Sequence, residues 1–382
     1  MKVSLRACRS FTYEYDQVRQ SIEKSIADLG GLGTYIQPGQ RVLLKVNLLM
    51  KKKPEEATTT HPVFVEALAD ILVAHGSSVL IADSPGGPFT EGALRGVYRV
   101  GGYEPIGQKD QIELNWNVEG REVANPNGKI LKRMTITSFL DDVDHVISVS
   151  KLKTHGMMKF TGAVKNMFGT IPGLIKAEYH VKMPELQDFG EMLVDVCAQA
   201  NPVLSFMDGI VGMEGAGPSA GDPRPVGVVL ASTSPYQLDV VASRLVGINP
   251  MEVPTIERSI AREWASLETG PDMMLGDDPG QFTLKDFVVP AIGNADFLKN
   301  MPGPIRAIGE ALLRPKPVFR HKDCIGCGEC AEACPAKVID MKDRKPYVEL
   351  SGCIRCYCCQ ELCPAKAVDI HRPVLMKLMT KF

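Results

Sequence analysis

Short apolar runs alternate with stretches of helical periodicity from Lys2 to about Val289. The clearest unit begins with an apolar run at 41–48, continues through a helical stretch at 62–75, and ends in a second apolar run at 78–84. A strand, a helix and a strand at this spacing are typical of a right-handed βαβ unit, in which both strands lie parallel in one sheet. The pattern therefore predicts an α/β domain with a mostly parallel sheet and flanking helices.

Proline and glycine mark the ends of the predicted helix. Pro62 follows His61 in the first turn, where a missing backbone N–H breaks no hydrogen bond, and Gly76 suits the C-terminal cap. Other buried strands are predicted at 145–150, 203–207 and 226–231. The segments 112–117 and 129–136 flank a turn-rich Asn-Pro-Asn-Gly sequence and predict an antiparallel excursion from the sheet.

Composition narrows the class of protein. The chain has 382 residues, of which 45% are hydrophobic and 23% are charged, as in ordinary soluble globular proteins. Its net charge of −2 gives no reason to expect a nucleic-acid partner. The N-terminus lacks the apolar core of a signal peptide, and no apolar run approaches the ~18 residues that span a bilayer. We therefore predict a cytoplasmic protein without a transmembrane segment.

Cysteine is concentrated in one short region, because nine of the eleven cysteines lie between Cys324 and Cys363. This region contains an internal repeat in which residues 324–340 align with residues 353–369 and share all four cysteines. Each half has the spacing C-x2-C-x2-C-x3-C-P, which bacterial ferredoxins use to bind [4Fe–4S] clusters. Clustered thiols in a cytosolic chain favour metal binding over a disulfide framework.

The repeat predicts two [4Fe–4S] clusters with interleaved ligands. Three closely spaced thiolates bind one cube, and the fourth cysteine of the same half binds the other cube. The predicted ligands are Cys324, Cys327, Cys330 and Cys363 for cluster 1, and Cys334, Cys353, Cys356 and Cys359 for cluster 2. Zinc is the alternative, but a zinc ion needs four ligands and has no use for the third cysteine or the Cys-Pro step. Cys358, a ninth thiol in this region, is predicted not to be a ligand.

The cysteine region also divides the chain into segments. We predict an α/β domain at 1–290, a linker at 291–319 that lies against it, a small α+β dicluster ferredoxin-like domain at 320–372, and a basic tail at 373–382. The sequence at 338–350, between the two cysteine motifs, predicts a β-hairpin. Acidic and basic residues are nearly balanced in the small domain, whereas a freely diffusing ferredoxin steers to its partners with an acidic surface. This balance favours a tethered electron relay that serves the first domain.

Polar side chains follow several predicted strands of the first domain. In open α/β sheets, ligands bind beyond the carboxyl ends of the strands. The candidate substrate-binding residues at or after these ends are Lys45, Asn47, Asp83, Lys151, Thr154, Lys165, Asn166, Asp208, Glu214, Gly215 and Gly217. The set is cationic and polar and would suit a small anionic substrate that carries a carboxylate or a phosphate. Lys153 and His155 are the candidate catalytic residues, since a histidine or a desolvated lysine can supply a proton during reduction.

Several segments together resemble the "domain of unknown function 362" family. They are 45–48, 81–87, 149–169, 208–218 and 224–247, and the resemblance covers roughly residues 1–290. Members commonly carry a dicluster ferredoxin domain at the C-terminus, which residues 318–372 resemble. The resemblance implies that the site includes Lys151, Lys153, Thr154, His155, Lys165 and Asn166. It implies an architecture and supplies no substrate.

The favoured function is an iron–sulfur oxidoreductase that takes electrons from a redox partner protein and passes them through two clusters to a small anionic substrate. No P-loop sequence is present, so a nucleotide is not expected. One alternative is a non-enzymatic electron-transfer adaptor, whose lysines dock a partner redox protein, and another is a cofactor- or metal-maturation protein. The lysines of an enzyme should line a cleft, whereas those of an adaptor should lie on an open surface.

Overall fold

The computed structural model describes residues 1–290 and 315–371. Its α-helices are α1 (Tyr15–Asp28), α2 (Pro62–Ala74), α3 (Glu91–Gly101), α4 (Gly162–Asn166), α5 (Ile175–Lys182), α6 (Leu186–Ala200), α7 (Pro235–Leu245), α8 (Pro254–Ala261), α9 (Glu329–Glu332) and α10 (Cys358–Glu361). Its strands are β1 (Val3–Ala7), β2 (Arg41–Lys45), β3 (Ser78–Ala82), β4 (Ile112–Leu114), β5 (Gly120–Ala124), β6 (Arg133–Thr137), β7 (His145–His155), β8 (Lys159–Phe160), β9 (Leu204–Glu214), β10 (Asp222–Ser232), β11 (Met274–Gly276), β12 (Lys316–Phe319), β13 (Ile339–Lys342), β14 (Lys345–Val348) and β15 (Val368–His371).

One large sheet forms the first domain. Its strand order is β11-β1-β10-β9-β7-β2-β3-β4, with β8 paired to β7. Strands β4, β3, β2, β7 and β9 run parallel to one another, whereas β10 runs antiparallel to both of its neighbours. The predicted α/β class with a mostly parallel sheet is therefore confirmed.

The βαβ unit predicted around α2 is present, with the expected helix ends. The side chain of His61 caps α2 by accepting the Val63 N–H at 3.3 Å, and Pro62 is the first helical residue. Gly76 follows the helix with a φ of 99°, a left-handed conformation that glycine adopts without a steric penalty. Among the described residues, no helix combines the length and the apolar character needed to cross a membrane.

Both faces of the sheet are buried against helices. On one face, Val42 and Leu44 of β2 belong to a core that includes residues of α1, α2 and α3. On the other face, Leu43 packs in a core with Val164 of α4 and Val194 of α6. Successive side chains of a strand point to opposite faces, which explains how one short strand contributes to both cores. Since both faces are covered, polar groups that could bind a ligand are expected at the ends of the strands.

The predicted pairing of 112–117 with 129–136 is wrong. Ile112–Leu114 forms β4, which pairs in parallel with β3 at the edge of the large sheet. The antiparallel partner of β6 is β5. Strand β5 is mostly exposed and has the sequence Gly-Arg-Glu-Val-Ala, so it lacks the apolar alternation by which a strand is recognised in a sequence.

The small domain contains the predicted hairpin, formed by β13 and β14. Strand β12 lies within the predicted linker, but it pairs with β15, so the small domain begins before Arg320. Its core contains Cys330, Cys334 and Cys359, which are predicted cluster ligands. Residues 291–314 of the predicted linker and the basic tail at 373–382 lie outside the described residues.

The small domain contacts the loop that joins β9 to β10. The amide of Gln360 donates a hydrogen bond to the carbonyl oxygen of Ala216 at 3.0 Å. The hydroxyl of Ser219 donates to the carbonyl oxygen of Glu361 at 2.6 Å. These bonds hold α10 beside the carboxyl ends of the strands.

Gly217, in the same loop, is required for close packing against β7. A Cβ atom at this position would lie 2.2 Å from the carbonyl oxygen of Thr154, so the backbone would have to shift. We expect Gly217→Ala to lower the free energy of unfolding by about 1–3 kcal/mol in urea denaturation of the anaerobic protein. The matched control is Gly92→Ala in α3, where a Cβ atom meets open space. Equal stability of the two variants would contradict this account.

Candidate functional site

A cavity lies at the carboxyl ends of β2, β3 and β7, where the small domain covers the sheet. Strand β3 lies on one side of β2 and β7 lies on the other, so the chain changes direction along the sheet at this point. Open α/β sheets bind ligands at such switch points. The cavity has a volume of about 90 Å³. Since a buried water needs about 10–15 Å³ by this measure, the cavity has room for roughly six waters or one small organic molecule.

The first domain and the small domain both contribute polar groups to the walls of this cavity. Those from the first domain include Asn47, Asp83, Ser84, Lys153, Thr161, Lys165, Asn166, Lys176 and His180. Those from the small domain are Cys358 and Glu361 of α10. The structure thus brings five of the predicted site residues together, namely Asn47, Asp83, Lys153, Lys165 and Asn166.

Lys153, a predicted catalytic residue, is buried at the end of β7. Its ammonium donates hydrogen bonds to Asn47 Oδ1 at 2.7 Å and to the carbonyl oxygen of Thr58 at 2.6 Å. Burial and the nearby positive charge of Lys165 lower the pKa of Lys153 to about 7. This lysine can therefore exchange a proton near neutral pH.

A buried network behind the cavity orients Asn47. Lys45 forms an ion pair with Asp83 Oδ1 at 2.7 Å. Asn166 donates to the carbonyl oxygen of Lys45 at 3.0 Å and accepts a hydrogen bond from Asn47 Nδ2 at 3.3 Å. Because its Nδ2 is held in this way, Asn47 presents its Oδ1 to Lys153. Lys45 thus lies behind the wall and acts through Asp83 and Asn166.

His155, the other predicted catalytic residue, is a buried neutral ring. Its Nδ1 accepts the backbone N–H groups of Met157 at 3.1 Å and Met158 at 3.2 Å, so the ring proton lies on Nε2. Burial and the charge of Lys165 hold the pKa of His155 well below its usual range. Nε2 lies 3.6 Å from Glu361 Oε2, and within the described chain it has no hydrogen-bond partner.

The wall residues that were not predicted from the sequence include Thr161, Lys176, His180 and Glu361. Lys176 donates to the carbonyl oxygen of Ser84 at 2.9 Å and to its hydroxyl at 2.8 Å, and burial lowers the pKa of Lys176 to about 7. Burial lowers the pKa of His180 to about 3, so its ring is neutral. Thr161 precedes α4, Lys176 and His180 lie on α5, and Glu361 lies in the other domain. A search limited to residues that follow the predicted strands could therefore not select them.

Two predicted site residues are paired with each other away from the cavity. Lys151 and Asp208 form a buried ion pair with an Nζ–Oδ2 distance of 2.7 Å. Tyr13 completes the arrangement, because its hydroxyl donates to Asp208 Oδ1 at 2.8 Å and accepts from Lys151 at 2.8 Å. Tyr13, Lys151 and Asp208 thus supply hydrogen-bond partners to one another. Neither Lys151 nor Asp208 is part of the cavity wall.

The remaining predicted residues shape the loop that contacts the small domain. The Thr154 hydroxyl donates to the carbonyl oxygen of Gly215 at 3.0 Å, and Gly217 packs against Thr154. The carboxylate of Glu214 accepts the Val288 N–H at 3.0 Å. None of these four residues lines the cavity, so their place at a strand end serves domain contact.

The cysteines of the first predicted cluster gather around one cavity. Cys324, Cys327, Cys330 and Cys363 line it together, although Cys363 comes from the second half of the repeat. Burial and the neighbouring thiols of Cys327 and Cys363 raise the pKa of Cys330 to about 11. Backbone N–H groups donate to Cys324 Sγ at 3.4 Å and to Cys363 Sγ at 3.2 Å, as they do to the sulfurs of iron–sulfur clusters.

The cysteines of the second predicted cluster are also neighbours. Burial, followed by the charges of Cys356 and Cys353, raises the pKa of Cys359 well above its usual range, and Cys334 adds to this effect. Crowded thiolates repel one another, and binding to iron removes that repulsion. The residues present therefore fit two interleaved sets of cluster ligands. Cys358 lies between Cys356 and Cys359 and is buried. It lines the cavity at the carboxyl ends of β2, β3 and β7.

The lowered pKa of Lys153 makes stability depend on pH. In the unfolded chain this lysine keeps its proton up to a pKa near 10.5, whereas in the folded chain it loses the proton at about 7. Between these values the unfolded chain binds more protons, so the contribution of Lys153 to the free energy of unfolding rises with pH.

We therefore expect the free energy of unfolding of wild type to rise, relative to that of Lys153→Met, by up to about 1.4 kcal/mol per pH unit between pH 7 and 9. The measurement is urea denaturation of both proteins across that range. A difference in unfolding free energy that stays constant with pH would contradict the lowered pKa.

Comparisons with known proteins match two separate segments of the chain. Residues 42–244 match the domain of unknown function DUF362, and residues 323–367 match a 4Fe-4S dicluster domain. The thylakoid-associated protein sll1697 of Synechocystis sp. is 35% identical over 257 residues, which cover 67% of this chain and 78% of that protein.

A solved structure, the lactate racemase apoprotein of Thermoanaerobacterium thermosaccharolyticum, is similar with a TM-score of 0.38 and 14% identity over 60% of this chain and 54% of that one. The sequence matches cover the sheet with its cavity and the cysteine repeat separately. The chain therefore belongs to the DUF362 family, with a 4Fe-4S dicluster domain joined at its C-terminal side.

Proposed function

We propose that this protein is an iron–sulfur oxidoreductase that passes electrons through two [4Fe–4S] clusters to a small anionic substrate in the cavity. The observation that carries the proposal is the shared wall of the cavity. One side contains Lys153 at a strand end, and the other contains α10, which bears Cys358 and the adjoining predicted ligand Cys359. The 4Fe-4S dicluster domain provides the capacity for one-electron transfer when its clusters are bound.

The burial of the lysines favours an enzyme over an electron-transfer adaptor. Lys153 is 1% exposed, and Lys45 behind it is fully buried. A docking face for a partner protein needs exposed charges, since electrostatic steering acts between surfaces. A buried lysine that lines a cleft, as Lys153 does, is instead suited to a ligand of the size of the cavity.

The residues of the wall supply binding and proton chemistry. Lys165 and Lys153 attract an anion, and Lys153 can hold or release a proton near neutral pH because its pKa is about 7. His155 lies beside the wall, and its neutral Nε2–H faces Glu361 Oε2 at 3.6 Å. The small domain covers the cavity and limits access of water, which strengthens these electrostatic interactions.

The cluster assignment predicts an iron content of about eight per chain in the anaerobic protein, four for each cube. We expect Cys356→Ala to lower the iron content by about half, because a predicted ligand is lost. Cys358→Ala is the matched control and should retain the full content, since the neighbouring Cys358 is not a predicted ligand. The measurement is iron analysis after anaerobic reconstitution, and equal iron loss in both variants would refute the ligand assignment.

Electron delivery to the cavity is tested by reoxidation of the reduced protein. The clusters are reduced with dithionite, excess reductant is removed, and bleaching is followed after addition of small reducible carboxylates such as crotonate, fumarate and glyoxylate. We expect at least one of them to reoxidise wild type. We expect Lys153→Met and His155→Phe to slow that reaction at least about a hundredfold, the lower end of an acid–base contribution.

The same experiment separates the enzyme from the adaptor. Lys24→Ala, an exposed lysine on α1, is the control and should react as wild type does. If none of the carboxylates reoxidises the protein while an oxidised ferredoxin does, the protein is an adaptor and the proposed function is wrong.

A further inference from the structure

Polar donors without partners lie in the cavity wall and beside it. Thr161 and Lys165 line the cavity, whereas His155 lies behind Glu361 of the wall. Thr161 Oγ1 and His155 Nε2 belong to residues that are each 3% exposed, and neither atom has a hydrogen-bond partner among the described residues. Within residues 1–290 and 315–371, the Lys165 ammonium also has no hydrogen bond or ion pair; its neighbour is the Phe168 ring, with the centroid at 6.0 Å. Buried polar groups of native proteins are almost always paired. The buried Thr161 hydroxyl therefore indicates a ligand that supplies an acceptor atom, and the half-buried Lys165 lies on the same wall.

The charge of the wall limits the charge of that ligand. Three lysines, Lys153, Lys165 and Lys176, and two carboxylates, Asp83 and Glu361, line the cavity. Asp83 is already paired with Lys45 behind the wall, which leaves the three lysines and Glu361. Near pH 7, where a pKa of about 7 leaves Lys153 and Lys176 each about half protonated, the net charge is about one positive, which a monoanion neutralises. A dianion would bring its second charge close to the carboxylates in a region of low dielectric constant, where like charges repel strongly.

The remaining wall is apolar. Leu49, Phe168, Leu174 and Leu362 line the space beside the donors. An inorganic phosphate would leave this surface in contact with trapped water, whereas a short hydrocarbon chain would cover it and gain the free energy of apolar burial. The volume of about 90 Å³ restricts that chain to a few carbon atoms.

We propose that the cavity binds a short-chain organic monocarboxylate, with its carboxylate on Thr161 and Lys165 and its carbon chain against Phe168 and Leu362. This inference rests on the proposed function only for the use of the bound molecule as an electron acceptor. The binding itself follows from the donors, the charge and the apolar wall.

Propionate and its neutral isostere propionamide are the probes. The full-length protein, with its clusters, is melted anaerobically at pH 6.5 and constant ionic strength with sodium propionate, propionamide or inorganic phosphate. We expect propionate alone to raise the melting temperature, because a ligand that binds only the folded protein stabilises it. Thr161→Val and Lys165→Met should each weaken propionate binding at least about tenfold, as expected for loss of a hydrogen bond to a charged group. Lys24→Ala should bind propionate as wild type does.

Thr161→Val also separates a ligand-binding role from a structural one. If the hydroxyl serves only to bind a ligand, Thr161→Val is at least as stable as wild type when both are measured without propionate. The substitution then removes an unpaired buried hydroxyl. A less stable variant would show that Thr161 supports the fold. That result would overturn the proposal, as would equal responses to propionate and propionamide, a stronger response to phosphate, or unchanged propionate binding in both variants.

This inference and the proposed function can fail separately. If propionate binds as expected but no carboxylate reoxidises the reduced protein, the electron-delivery proposal is wrong and the binding inference stands. If a carboxylate reoxidises wild type, Thr161→Val and Lys165→Met at equal rates, the oxidoreductase proposal stands and the carboxylate site is wrong.

Discussion

A lysine ammonium inside a protein must be compensated by acceptors, and this constraint determines which part of the strand-end cluster is structural. Lys45 is matched by Asp83, and Lys151 by Asp208. Each pair is buried, and removal of one partner would leave an uncompensated charge. Lys153 is held by two neutral oxygens, and Lys165 has neither an ion pair nor a hydrogen bond among the described residues. The incompletely compensated cations line the cavity, so the proposed anion would complete the arrangement.

The small domain covers the strand-end lysines on one side. Its helix α10 forms one wall, and hydrogen bonds from Gln360 and Ser219 fix that helix against the β9–β10 loop. The same helix contains Cys359, a predicted cluster ligand, and Glu361, which faces His155. The helix that covers the cavity therefore also brings the cysteine motif next to it. Under the proposed function, the first domain is the attached partner of the small domain, which then needs no strongly acidic surface to steer to it.

Much of the architecture could be predicted because it depends on local patterns. The βαβ unit around α2 follows from apolar periodicity and from Pro62 and Gly76, and the dicluster domain follows from cysteine spacing. The pairing of β5 was missed because an exposed polar strand carries no apolar alternation. In the site, Asn47 and Lys153 were found because both follow the ends of parallel strands.

The other parts of the site depend on contacts between distant residues. A sequence shows that Lys151 and Lys153 are close neighbours, but it does not show that Asp208 and Tyr13 satisfy one lysine and leave the other beside the cavity. Lys176 and Glu361 reach the wall from a helix and from another domain. No spacing rule connects such positions.

The central claim is that a molecule bound at the lysines lies next to the clusters. Electron–nuclear double resonance of the reduced protein with carbon-13-labelled propionate tests this claim directly. We predict a carbon-13 coupling to the cluster spin that is present in wild type and absent in Lys165→Met. Binding of the labelled propionate without any such coupling would contradict the account.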